Sequence, residues 1–160
     1  YSEEETIPAG TVKGYADIYG NGQHVESEFL YKDELGIGGD GGIAINAFDL
    51  ATFFEEMMKG QLISTSSLAE MTNWFNLPED WISEDDLYGQ TENGFGIERF
   101  NTAYGSAVGH TGGVDGFITI ALYFPEEDMS YILLVNSAGN EEGGTSQDQI
   151  FREVMEEIFK

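Results

Sequence analysis

The sequence predicts an α+β fold: an antiparallel sheet with a C-terminal helix packed on one face. Two strongly apolar runs, Phe117–Phe124 and Met129–Val135, are separated only by Pro125–Asp128. A connection that short joins neighbouring strands antiparallel. Both runs are apolar at successive positions, so both are expected to be central strands with a layer packed on either side. Near the end, Ile150, Phe151, Val154, Met155 and Ile158 recur at helical spacing, with Arg152, Glu153, Glu156 and Glu157 between them. Such a stripe predicts a helix over about 147–159 that lays one side on the sheet.

The other elements follow in order. Val12 to Tyr19 reads as a strand, closed by a turn at Gly20-Asn21-Gly22. His24 stands alone in polar sequence and is expected in an exposed loop. Gly36–Gly42 is glycine-rich but lacks the Gly-Lys-Ser/Thr of a phosphate loop and the spacing of a dinucleotide fingerprint. It is expected to bring backbone close to whatever packs on it. Leu50, Phe53, Phe54, Met57 and Met58 form one apolar helical stripe, with Asn46 as N-cap and Gly60 as stop. A second helix is expected from Ser64, turning Leu68, Met71 and Phe75 inward and ending at Asn76-Leu77-Pro78. Residues 76–93 read as an acidic loop, Gly94–Phe100 as a strand, and Ala103–Gly105 as a tight turn. Ser146 with Gln149 fits a capping box for the last helix. There is no internal repeat and no long linker, so residues 1–160 read as a single region.

Composition excludes several function classes. Six Lys plus Arg face thirty Asp plus Glu, a formal charge of −24, which opposes binding to nucleic acid or to anionic membranes. The acidic residues are scattered, as on a solvated surface. No run approaches the roughly 18 apolar residues of a membrane span. Cysteine is absent, which removes disulfides and thiolate chemistry. Two histidines without a His-x-x-x-His pair, and no calcium-loop pattern, lead us to expect no metal and no cofactor.

The stretch Gly109-His110-Thr111-Gly112-Gly113-Val114-Asp115-Gly116-Phe117 is the chemical focus. It joins an imidazole, a hydroxyl and several glycines at the entrance to an apolar strand. As a bare pattern it reads as a glycine-rich turn or bulge that leaves backbone N–H groups free to face a ligand.

Several segments, taken in order, resemble the C-terminal half of the serine β-lactamase-like family, which includes class C β-lactamases, D-Ala-D-Ala carboxypeptidases and related esterases. Gly14-Tyr15 with Tyr19-Gly20-Asn21-Gly22 resembles its Gly-Tyr segment. Gly41-Gly42-Ile43-Ala44 running into Asn46–Leu50 resembles its Gly-Gly lead into a helix, and Gln61–Ser64 with Ser67-Leu68 and Met71 its next helix. Tyr88-Gly89 through Gly94-Phe95-Gly96-Ile97 is similar to its Tyr-Gly strand. Gly109-His110-Thr111-Gly112-Gly113 resembles its third active-site box, Lys-Thr-Gly or His-Thr-Gly. Tyr123–Glu126 and Leu134-Val135-Asn136 resemble the hairpin that follows.

The family's nucleophile and activating lysine lie in a Ser-x-x-Lys. The residues three before Lys13, Lys32, Lys59 and Lys160 are Gly10, Phe29, Glu56 and Glu157, so that box is absent from this sequence. The second box, Tyr-x-Asn or Tyr-x-Ser, is absent as well. The resemblance therefore implies the C-terminal portion of a serine hydrolase that acts through an acyl-enzyme on a D-amino-acid peptide, β-lactam or ester. The partner would be the N-terminal segment or a second chain, besides a small-molecule or peptide substrate. It implies catalytic roles for His110 and Gly113, the latter lending an oxyanion-hole N–H, and substrate contacts from Thr111 and Gly112. A Ser-His-Asp triad through Asp115 is disfavoured, since no serine lies in a Gly-x-Ser-x-Gly elbow. Export to the periplasm or the extracellular space is a further implication. The competing reading is a non-catalytic binding or assembly module that keeps the fold without the nucleophile.

Overall fold

The computed structural model describes residues 10–27, 43–82, 88–114, 116–138 and 147–160. The glycine cluster 36–42, Asp115 and Ser146 lie outside these residues. The centre is a six-stranded sheet in the order β3-β4-β5-β6-β7-β8, antiparallel throughout. Its strands are β3 (Phe75–Asn76), β4 (Gln90–Asn93), β5 (Glu98–Thr102), β6 (Gly105–Val114), β7 (Phe117–Phe124) and β8 (Met129–Val135). A smaller sheet joins β1 (Tyr15–Ala16) to β2 (Val25–Glu26) and, in parallel, to β9 (Ser137–Ala138). The helices are α1 (Ala47–Met58), α2 (Thr65–Met71) and α3 (Gln147–Ile158).

The alternation along β7 builds the layers. Ile120, Leu122 and Phe124 face one way and pack with Phe100, Tyr131, Phe151 and Met155, placing α3 on that side. Ala121 and Tyr123 face the other way and pack with Val108, Phe54 and Met57, placing α1 there. Met71 of α2 joins this second cluster. As expected, β7 and β8 pair antiparallel through the short loop and each face of β7 is covered, but β8 is not central: it ends the described sheet and its Leu134 is exposed.

Local chemistry sets the helix ends. The Asn46 side chain accepts from the Asp49 N–H at 3.0 Å, capping α1. Gly60 adopts a left-handed conformation (φ 71°) and its N–H bonds the Met57 carbonyl, which ends the helix. Ser64 caps α2 through the Ser67 N–H.

Four expectations are corrected. The first strand is only Tyr15–Ala16, and the Asp17 carboxylate, accepting from the N–H groups of Asn21 and Gly22, starts the turn early. Phe75 is not on α2 but in β3, and is exposed, because the helix closes at Thr72. The supposed loop 76–93 contains β4, whose polar Gln90-Thr91-Glu92-Asn93 pairs between β3 and β5. Residues 94–97 are a turn that precedes β5, in which the Gly94 N–H bonds the Ile97 carbonyl. The apolar stripes are also narrower than expected. Phe53, Val154 and Ile158 are exposed, since the facing sheet covers only the line through Phe54 and Met57 on α1 and through Phe151 and Met155 on α3.

Candidate active site

The glycine-rich stretch is not a turn before a strand. Residues 105–114 form β6 in full, joined to β5 by a tight hairpin at Ala103-Tyr104 and to β7 through Val114↔Phe117. The two neighbours cover it unequally. β7 pairs with β6 along Val108–Val114, whereas β5 pairs only from Gly105 to Gly109. Among the described residues nothing continues β5 alongside His110–Val114. Among the described residues the C-terminal half of a central strand is thus an open edge, with backbone donors and acceptors turned toward the space beyond.

His110, Thr111, Gly112 and Gly113 all lie on this open half, so the structure brings the expected site residues together on one strand. Gly109 permits it. A Cβ there would collide with the Ala121 carbonyl oxygen, so only glycine lets β6 approach β7 this closely at that position.

The edge groups of Thr111 are engaged. Its N–H donates to Glu98 Oε2 at 3.0 Å, and its hydroxyl donates to the same oxygen at 3.4 Å. Its carbonyl lies 2.6 Å from His110 Nδ1. An acceptor at that distance fixes the proton on Nδ1 and leaves the Nε2 lone pair available in the neutral ring. Nε2 is 4.0 Å from Glu98 Oε1, close enough for an ion pair once the ring is protonated. The imidazole is half exposed, whereas only 16% of the Glu98 side chain is.

Residues two apart on a strand point their N–H groups the same way. The Gly113 N–H therefore faces the same open edge as that of Thr111. An open cavity of about 310 Å³ borders Thr111, Gly112 and Gly113 and is lined as well by Tyr88, Ile118 and Gln147. The cavity lies on the α3 face with Thr111 and Ile120, whereas His110 shares the α1 face with Ala121, and Glu98 reaches toward both residues at the strand edge.

His24 is exposed, as expected, with Nδ1 3.0 Å from Ser137 Oγ. Among the described residues no carboxylate pairs with it, so it lacks the third member of a triad. No group of three or more His, Asp or Glu among the described residues could hold a metal ion. No helix there is long and apolar enough to cross a membrane. Sequence reasoning missed Glu98. Its contact with Thr111 arises from the β5–β6 register, which places Glu98 opposite Gly109, and nothing local signals it.

The beta-lactamase family model matches residues 4–154. The chain belongs to the beta-lactamase family. Its fold is similar to that of a D-stereospecific amidohydrolase from Streptomyces sp., with a TM-score of 0.67 at 21% identity over 92% of this chain and 40% of that one. It is also similar to the D-amino acid amidase from Ochrobactrum anthropi SV3 solved with L-phenylalanine amide. There the TM-score is 0.53 at 18% identity, over 69% of this chain and 31% of that one. This family member thus spans well under half the length of the solved structures it matches.

Proposed function

We propose that this chain is the C-terminal portion of a serine hydrolase that cleaves amide bonds through an acyl-enzyme, with D-amino-acid amides or peptides as the substrate class. The observation that carries this reading is the open edge of β6, along which His110, Thr111 and the outward Gly113 N–H follow one another. The names of the similar structures, an amidohydrolase and an amidase, favour an amide over an ester or a β-lactam. The nucleophile and its base come from the Ser-x-x-Lys segment of the longer protein. This chain supplies the opposite wall: the Gly113 N–H for the developing oxyanion, worth about 3 kcal/mol for one such donor, and His110 Nε2 as a proton acceptor or donor. Thr111 and Gly112 line the path of the substrate backbone. We place the whole enzyme in the periplasm or outside the cell.

The test is hydrolysis of D-phenylalanine amide by the protein that carries both halves. His110→Ala is expected to lower kcat by about 100-fold, the lower end of general acid–base effects, while thermal unfolding stays unchanged because the ring is half exposed. Full turnover in that variant would sink the assignment.

A further inference from the structure

We infer that Glu98 makes the open edge of β6 select ligands without a carboxylate, so that the site takes neutral or cationic amides and rejects acids. The inference deepens the hydrolase reading and rests on it. Thr111 carries the two donors, N–H and Oγ–H, that a ligand carboxylate would seek at this edge. Both already point at Glu98 Oε2, at 3.0 and 3.4 Å. A second carboxylate there would displace Glu98 or lie beside it, and two carboxylates sharing one set of donors repel.

The charge around them gives no relief. The Glu98 side chain is mostly shielded from water, so its field is screened less than that of a surface group. His110, 4.0 Å away, adds one positive charge when protonated, which brings the pair to neutrality and no further. The other described cations near the sheet are committed elsewhere: Lys59 to Asp128 and Arg99 to Glu92, with the Arg99 guanidinium stacked over Trp74. Among the described residues no Lys or Arg pairs with Glu98. What remains open is the Gly113 N–H, which suits a carbonyl oxygen, and the Glu98 and His110 acceptors, which suit an amide N–H or an ammonium group. With both edge groups of Thr111 occupied, an extended ligand can add to the edge only beyond it, which favours short acyl chains.

The experiment uses the protein carrying both halves and two matched ligands, N-acetyl-D-alanyl-D-alanine and its C-terminal amide. Dissociation constants from calorimetry and kcat/KM are read for each. The wild type is expected to bind the amide about ten-fold more tightly than the acid. Glu98→Gln, which keeps the shape and removes the charge, is expected to narrow the gap to about two-fold, mainly through tighter binding of the acid. Glu98→Asp should preserve the gap. Should the Gln variant not fold, the wild type still decides: it must bind the amide more tightly than the acid, and because Glu98 is shielded the gap should persist as salt rises from about 0.05 to about 0.5 M. An unchanged gap in a folded Gln variant, a wild-type preference for the acid, or binding of neither ligand overturns the inference. A clear binding gap without hydrolysis of either ligand supports the selectivity and sinks the hydrolase reading alone.

Discussion

The two halves of β6 lie on one continuous strand and behave as different materials. Ala107, Val108 and Gly109 are buried and paired with β5, Val108 and Gly109 are paired with β7 as well, and the segment is packed on both faces. From His110 to Val114 the strand keeps its pairing to β7, loses β5, and four of its five residues are exposed. In the first half every position is fixed by atoms around it. In the second the backbone is paired from one side only, the edge groups of Thr111 are held by side chains, and the Gly113 N–H is left turned outward. The lesson concerns glycine. Gly109 is demanded by packing, since a methyl group would strike the Ala121 carbonyl, whereas Gly112 has open space where its side chain would be.

This contrast can be tested most severely at Gly109. Gly109→Ala should destabilise the chain by about 3 kcal/mol, the upper end for overpacking against rigid backbone, visible as a collapse of the urea midpoint. A wild-type midpoint would mean that β6 and β7 can separate freely. Next comes Tyr131, which faces Leu122 across the same row as Gly109. Its hydroxyl is buried without a partner among the described residues, and burial pushes its pKa up to about 12. Tyr131→Phe removes the cost of an unsatisfied polar group, so it should raise stability by about 1 kcal/mol.

A smaller effect is expected at Asp128. Its carboxylate pairs with Lys59 of the α1 C-cap at 2.7 Å and accepts from the Tyr123 hydroxyl at 2.9 Å, tethering α1 to the row through Val108. The Lys59 hydrogen bond, then that from Tyr123, holds its pKa below the ordinary value. The same contact with Asp128 raises that of Lys59. A depressed acid stabilises above its unfolded value of about 4 and loses that contribution as pH falls through its folded value. A raised lysine stabilises below about 10.4 and loses its contribution as pH rises through its folded value. The difference between wild type and Asp128→Asn should therefore form a plateau from about pH 4 to about pH 10 and shrink on both sides. Because both groups are exposed, salt should weaken it. A difference that grows in acid would contradict the tether. Least of all should be seen at Gly112. Gly112→Ala is expected to change stability by less than about 0.5 kcal/mol, with any loss confined to turnover.

The legible parts of the fold were those set by local chemistry. The caps at Asn46 and Ser64, the stop at Gly60 and the hairpin of β7 and β8 depend on neighbouring residues, and the sequence displays them. What escaped were features created by distant pairing. Gln90–Asn93 has no apolar alternation and becomes a strand only because β3 and β5 flank it. Gly109–Gly113 has the composition of a turn, yet the strong β7 beside it holds it straight. Glu98 gains its place from the same source. The box at His110–Gly113 was found through family likeness, and its openness could not be, because that depends on where β5 ends.

The small sheet of β1, β2 and β9 has a consequence in time. The strands from β4 to β8 follow one another as hairpins, so each can pair with a neighbour only a short loop away. β1 instead lies parallel to β9, and Asn136 reaches the Lys13 carbonyl across 123 residues of chain. Closing so long a loop must await the meander that brings its ends together. Pairing of β1 with β9 therefore follows the meander, and in a nascent chain that has not yet emerged past Ala138 Tyr15 has only β2 beside it.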